Sequence, residues 1–175
     1  MNYSLSVSDM HRDLDVIKQL VYDPNGYEFS DYKKEHESKE YGACSFQLNE
    51  SQCIFRVAKI TPIKVGQFVA VWKRIGKSLP QSYDSTDGVD FFVISTRDGN
   101  HFGQFIFPKS VLCEQKIMST NGKRGKTGMR VYPPWVKTTN KQAIKTQAWQ
   151  VKYFLEIPSD KTLDQKRCHT LFIRA

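Results

Sequence analysis

The feature that most constrains the fold is a change of residue pattern near Tyr41, where strand-forming segments begin. From there to Phe107 the chain is rich in Val, Ile, Phe and Trp, which pack well on a pleated sheet. Short polar turns at 50–51 and 97–100 predict two antiparallel hairpins. The run Phe91–Ile94 is apolar without alternation, which predicts a strand covered on both faces. The segments are YGACSFQLN (41–49), QCIFRVAKI (52–60), GQFVAVWKRI (66–75), DFFVIST (90–96) and HFGQFIF (101–107).

Helices are predicted on both sides of this region. The N-terminal helix takes Ser6 or Ser8 as its N-cap and ends in the turn at 23–26. Its apolar face consists of Met10, Leu14, Ile17 and Val21. The C-terminal helix starts at the N-cap Asn140 and ends before Pro158. Its predicted apolar face consists of Ile144, Ala148, Val151 and Leu155.

Together these elements predict an α+β fold in a single domain spanning residues 1–175. A mixed, mostly antiparallel sheet of five or six strands is expected, flanked by the N- and C-terminal helices. The polar stretch 29–41 is expected to form a short exposed helix or loop, and a short strand is expected at 129–133. The polar tail after Pro158 has no predicted element.

The sequence favours a cytoplasmic protein that does not associate with membranes. No apolar run approaches the roughly 18 residues that a membrane span requires, and the first residues lack the pattern of a signal peptide. The four cysteines are scattered without a CxxC pair, so we expect reduced, mostly buried thiols and no metal site.

Positive charge is concentrated in the second part of the chain. Residues 1–60 carry 7 Lys and Arg against 10 Asp and Glu, whereas residues 61–175 carry 19 against 8. Ten basic residues and a single acid, Glu114, lie between Lys109 and Lys152. Cations in such numbers repel one another unless an anion offsets them, which favours a polyanionic partner. We call these residues the basic segment: Lys109, Lys116, Lys123, Arg124, Lys126, Arg130, Lys137, Lys141, Lys145 and Lys152.

The loop Ser119–Arg130 is a candidate phosphate-binding loop. Glycines recur at every third position from 122 to 128, and glycines let backbone N–H groups converge on an anion. The loop differs from the P-loop of NTPases because it lacks the first glycine and precedes a strand instead of a helix. The candidate phosphate contacts in the loop are Lys123, Arg124, Lys126 and Arg130.

The C-terminal helix carries a second candidate surface. Lys141, Lys145, Trp149 and Lys152 lie within about 80° of one another on the helical wheel. Lysines in such a strip track a phosphate backbone, and an indole offers a surface for base stacking. Gln147 and Gln150 are candidates for contacts with base edges or sugars. A solvated lysine edge with Trp149 covering the core is the alternative interpretation.

Catalytic candidates are weaker. A nuclease of the restriction-endonuclease type, PD-(D/E)xK, places Asp at the start of one strand and Glu or Gln two residues before Lys on the next, where the carboxylates bind Mg²⁺. Asp90 and Gln104 have suitable positions, but Ile106 stands where the lysine is expected. Lys109, or Glu114 with Lys116, would then complete the site. The pattern is compatible with a restriction-endonuclease-like scaffold and is degenerate as a catalytic site.

Six segments between about 40 and 157 form a specific combination: FRVAKITPIKVGQFV (55–69), WKR (72–74), DF (90–91), GQFIFP (103–108), RVYPPW (130–135) and TQAWQVKYF (146–154). Together they resemble the MepB-like family of bacterial proteins. The resemblance implies little about activity. Some members are encoded beside a multidrug efflux transporter and a MarR-type regulator, but the position of a gene beside others does not assign a chemical activity to its product. The basic residues of these segments predict one composite surface of Arg56, Lys59, Lys64, Lys73 and Arg74 with Arg130, Gln147 and Gln150, or else an internal ion pair of Arg56 with an acid such as Asp90.

The leading hypothesis is a cytoplasmic protein that binds DNA or RNA through this loop and helix, without catalysis and without a cofactor. One alternative is a Mg²⁺-dependent nuclease with the degenerate site at Asp90 and Gln104. The other is a regulatory module that binds an acidic protein partner.

Overall fold

The computed structural model describes residues 9–173 and has the predicted α+β fold, with a mixed, mostly antiparallel sheet. The strands are β1 (Phe29–Lys34), β2 (Cys44–Leu48), β3 (Ser51–Val57), β4 (Lys59–Ile60), β5 (Gln67–Ala70), β6 (Trp72–Lys73), β7 (Gln81–Ser82), β8 (Phe91–Asp98), β9 (His101–Pro108), β10 (Gly128–Val131) and β11 (Phe154–Glu156). The helices are α1 (Arg12–Ile17, continued by the π-helical turn Lys18–Tyr22), α2 (Lys109–Glu114), α3 (Lys141–Gln150, continued by the 3₁₀ turn Val151–Tyr153) and α4 (Gln165–Leu171), with a further 3₁₀ turn at Lys39–Tyr41.

Six strands form the main sheet, in the order β1-β2-β3-β8-β9-β11. Both predicted hairpins are present, as the antiparallel pairs β2–β3 and β8–β9. Strands β3 and β8 are parallel, which makes the sheet mixed. Two smaller sheets accompany it, β10-β5-β4 and β6-β7.

The central strands bury side chains on both faces, as the run Phe91–Ile94 predicts. Phe91 and Val93 pack with α1 and α4 in one core, whereas Phe92 and Ile94 pack in a second core with β5, β10 and α2. All four side chains are at most 2% exposed. The main sheet therefore lies between a helical layer and a layer made of the small β10-β5-β4 sheet, α2 and α3.

Helix α1 begins later than predicted. His11 is its N-cap, and its Nδ1 accepts a hydrogen bond from the Asp13 N–H at 3.0 Å. The predicted caps Ser6 and Ser8 lie outside the described residues. Within residues 9–173, no helix is both long and apolar enough to cross a membrane.

Three local predictions were wrong. Residues 29–34 form the edge strand β1. Its two aromatic residues that pack on the core, Phe29 and Tyr32, are three positions apart across a register shift, so the sequence shows no strand alternation. Helix α3 exposes Ile144 and Ala148 and buries Ala143 and Gln150 instead. Strand β11 occupies residues assigned to the end of the last helix. The tail after 158, for which no element was predicted, contains α4.

Arg56 forms an internal ion pair, as predicted, but its partner is Glu35 and not Asp90. The Arg56 side chain lies on β3, is 2% exposed, and donates from Nη2 to Glu35 Oε2 at 2.8 Å. It also donates to the Phe55 carbonyl at 2.8 Å and to the Tyr83 hydroxyl at 3.3 Å. The buried charge joins the β3 strand to the segment that follows β1.

Glu35→Ala is expected to lower the free energy of unfolding by about 2–4 kcal/mol, because it leaves the buried Arg56 charge without its partner. Urea denaturation followed by far-UV circular dichroism measures the change. Glu37→Ala is the matched control, since the Arg74–Glu37 pair is partly exposed and is expected to contribute less than about 1 kcal/mol. Equal effects of the two substitutions would contradict the assignment.

Three of the four free cysteines are buried, in agreement with the sequence. Burial raises the pKa of Cys44 to about 12 and that of Cys168 to about 11, and it also raises the pKa of Cys53. An unfolded thiol loses its proton near pH 8.5, so the folded state holds these protons more tightly than the unfolded state does.

The free energy of unfolding is therefore expected to fall as the pH rises from about 8.5 towards the folded-state pKa values. Urea denaturation at pH 8 and pH 10 tests this. Cys44→Ala should show a smaller fall between the two pH values than the wild-type chain does. An identical fall in both proteins would contradict the thiol contribution.

Candidate nucleic-acid interface

A surface cleft of about 610 Å³ lies where three parts of the chain meet. The β4–β5 loop contributes Lys64 and Val65, and α3 contributes Trp149. The candidate phosphate-binding loop Ser119–Arg130, called the basic loop below, contributes Lys126 and, where it runs into β10, Arg130. The structure thus brings residues of the predicted loop and the predicted helix into one site. Lys64 was included in the composite surface, whereas Val65 carried no functional signal in the sequence because it is an ordinary loop residue.

Two glutamines of α3 fix the position of the helix. Gln150 is fully buried; its Oε1 accepts from the Tyr132 N–H at 2.8 Å and its Nε2 donates to the Arg130 carbonyl at 2.9 Å. Gln147 Nε2 donates to the carbonyls of Pro133 and Val136 at 3.0 and 2.8 Å. Both amides, predicted as contacts for bases or sugars, are engaged inside the protein. Their hydrogen bonds hold α3 against β10 and the 133–138 loop.

Arg130 anchors the β4–β5 loop. Its Nε donates to the Val65 carbonyl at 3.0 Å, and its Nη2 donates to Thr61 Oγ1 at 2.7 Å and to the Lys64 carbonyl at 2.9 Å. These bonds hold the tip of the loop in place although Ile63, at that tip, is 95% exposed. Arg130 is thus a structural clamp that also brings its charge to the cleft.

The basic loop is ordered by hydrogen bonds of its own. Ser119 Oγ accepts from the Gly125 N–H at 2.8 Å, and the Lys126 N–H donates to the Ile117 carbonyl at 2.9 Å. A Cβ at Gly125 would overlap the Ile117 carbonyl oxygen, so the close approach of the two chain segments requires glycine there.

The basic loop divides its cations between two depressions of the surface. Lys126 lines the cleft, whereas Lys123 and Arg124 line a second groove of about 350 Å³ together with Lys73. The structure therefore does not bring all the predicted loop contacts to one place.

Helix α3 presents its predicted strip beside the cleft. Lys141 and Lys145 are exposed, as is Lys152 in the 3₁₀ turn that follows. Trp149 is half-buried: its ring packs on Phe107, with ring centroids 5.3 Å apart, and it also lines the cleft.

In the part of the chain that the structure describes, no acid neutralises the cations of the basic segment. None of the ten forms an ion pair within residues 9–173; nine are exposed and Arg130 is half-buried. Other members of the predicted composite surface differ from them. Lys73 pairs with Asp87 at 2.6 Å, Arg74 pairs with Glu37 at 3.3 Å, and Lys59 lies over the Tyr41 ring at 4.7 Å.

The three catalytic candidates do not converge. The Asp90 carboxylate accepts from the Gln52 N–H at 2.8 Å, and the Asp90 carbonyl accepts from the Lys109 N–H at 2.9 Å, so Asp90 and Lys109 are neighbours. Gln104 is fully buried, and its Oε1 accepts a hydrogen bond from the Tyr22 hydroxyl at 3.4 Å. On the neighbouring strand it pairs with Ser95, which lies about 17 Å along the chain direction from Asp90. Within the described residues, no group of three or more His, Cys, Asp or Glu side chains is arranged to hold a metal ion.

Comparison with known proteins places the chain in a family. The model of the MepB-like family matches residues 35–156. The chain belongs to the MepB-like family. A crystal structure of MepB is similar to this MepB-like protein with a TM-score of 0.73 and 33% sequence identity, covering 87% of this chain and 100% of the other. No curated protein matches the chain. These findings establish kinship and assign no activity.

Gln150→Leu is expected to lower the free energy of unfolding by about 1–3 kcal/mol, because it removes a buried amide that bonds the Tyr132 N–H and the Arg130 carbonyl. Gln142→Leu, on the exposed surface of the same helix, is the matched control and should change stability by less than about 0.5 kcal/mol. Thermal and urea denaturation measure both. Equal stability of the two variants would show that Gln150 does not hold α3 to β10.

Proposed function

We propose that this MepB-like protein binds nucleic acid, DNA or RNA, through the cleft and the exposed cations of the basic segment. The observation that carries the proposal is that the ten cations of the basic segment have no ion-pair partner within the described residues. Arg56 and Lys73 differ from these cations, because each has an acidic partner, Glu35 and Asp87 respectively.

Electrostatics supports a polyanion as the partner. Unpaired cations on one stretch of chain raise the free energy of the folded state by mutual repulsion, and a phosphate backbone relieves that repulsion. Binding then releases the counterions condensed on the nucleic acid, which makes the affinity large at low salt and steeply dependent on salt. The exposed lysines suit this role because each is a mobile point charge that does not require a fixed geometry.

The proposal is for binding without cleavage, in the cytoplasm. Asp90 and Gln104, the candidates for a restriction-endonuclease-like site, are engaged with Gln52 and Tyr22 and lie on different parts of the sheet. The reduced cysteines support a cytoplasmic location. A regulatory role with an acidic protein partner is the alternative prediction.

Fluorescence anisotropy with labelled DNA and RNA oligonucleotides at 50 and 200 mM salt tests the proposal. We expect binding at the lower salt and a loss of at least tenfold in affinity at the higher salt. The double variant Lys64→Ala/Lys126→Ala should weaken binding to all sequences and reduce the slope of log K against log salt by about 1–2.

Lys33→Ala/Lys166→Ala is the charge-matched control. These exposed lysines lie on the edge strand β1 and on α4, away from the cleft, so affinity and salt slope should stay close to the wild-type values. Absence of binding to DNA and to RNA at 50 mM salt would overturn the proposed function. Equal loss in the two double variants would show that binding does not take place at the cleft.

A further inference from the structure

We infer that the cleft takes a single unpaired nucleotide, with the base against Trp149 and the phosphate near Lys64 and Lys126, so that the protein prefers single strands over duplexes. The inference rests on the proposed function and specifies the form of nucleic acid that this site accepts. Three features of the cleft carry it: its size, its two apolar walls and its unused polar groups.

The size and lining of the cleft suit a base and not a duplex. A volume of about 610 Å³ falls within the range of small-molecule sites, and a half-buried aromatic ring lines it. The faces of bases in a duplex are covered by their neighbours, so only an unpaired or extruded base stacks on a side chain. Trp149 in the cleft can therefore stack on a base of a single strand, but not on a base inside an intact duplex.

A second apolar wall is contributed by the β4–β5 loop. Ile63 is 95% exposed and Val65 is 49% exposed, and both line the same cleft as Trp149. Exposed β-branched side chains at a loop tip do not add to the stability of the fold, yet the hydrogen bonds of Arg130 hold the loop backbone in place. Extruded bases are held between aromatic and apolar side chains. Lys64, between the two apolar residues, brings a cation to the same wall.

Polar groups for the edge of the base are also available. Gln115, Gln142 and Thr146 line the cleft and make no side-chain hydrogen bond within residues 9–173. By contrast, the side-chain amides of Gln147 and Gln150 donate hydrogen bonds to backbone carbonyls. An amide both donates and accepts, which matches the mixed donors and acceptors on the edge of an unpaired base.

The test compares a 12-nucleotide single strand with the corresponding duplex, in DNA and in RNA, by anisotropy and by quenching of tryptophan fluorescence. We expect at least tenfold tighter binding of single strands, and quenching that is largely lost in Trp149→Phe. Trp149→Ala should weaken single-strand binding by about 5- to 100-fold and leave duplex binding nearly unchanged. Trp149→Phe should retain most of the affinity, because it keeps an aromatic surface.

Trp149 also packs on Phe107, so a second variant separates binding from folding. Val65→Ser removes part of the loop wall without touching the core and should weaken single-strand binding severalfold. Ile144→Ser is its matched control, since Ile144 is also 49% exposed but lies on α3 outside the cleft lining. It should have no effect.

The outcomes separate this inference from the proposed function. Equal affinity for single strands and duplexes, with neither Trp149→Ala nor Val65→Ser affecting it, would overturn the unpaired-nucleotide site and leave nucleic-acid binding intact. No binding to any oligonucleotide would overturn the proposed function and this inference together. A preference for DNA over RNA single strands, or the reverse, would support the unpaired-nucleotide site and show which sugar, deoxyribose or ribose, it accepts.

Discussion

Burial of both faces of the central strands is the constraint on which the rest of the structure depends. The sheet needs an apolar layer on each side, because Phe91 and Val93 project into one core while Phe92 and Ile94 project into the other. Helices α1 and α4 cover the first face. The second face is covered by a less regular layer, the small β10-β5-β4 sheet with α2 and α3, and the cleft lies within that layer.

Above the second hydrophobic core, planar polar side chains tie together the segments that line the cleft. Gln150 and Gln147 bond the backbone of β10 and of the loop after it, and Arg130 bonds the carbonyls of the β4–β5 loop. Amide and guanidinium groups offer several donors in fixed directions, so one side chain ties two or three backbone groups. The lysines lack this rigid fork. In this layer Arg130, Gln147 and Gln150 thus fix the architecture, whereas the exposed lysines of the basic segment supply surface charge.

This division explains why the candidate site was only partly predictable. The cations of the basic segment are visible in the sequence, because their number and the near absence of acids need no knowledge of the fold. Which cations share a cleft is not visible, since Lys64 lies outside the basic segment, 62 positions before Lys126, and the Arg130 clamp brings the two together. Gln147 and Gln150 were predicted to contact a nucleic acid, because the sequence does not distinguish an amide that bonds a base from one that bonds a distant backbone carbonyl.

The sequence by itself determined the α+β class, both hairpins, the doubly buried strand β8, the N-cap Asn140 and the basic segment, because each depends on neighbouring residues or on composition. Only the tertiary structure decided that residues 29–34 join the sheet as an edge strand, that Ile144 faces solvent, and that Arg56 pairs with Glu35. Those outcomes depend on partners distant in sequence. The contacts that stabilise these arrangements exist only after the layers have packed, so no local sequence pattern predicts them.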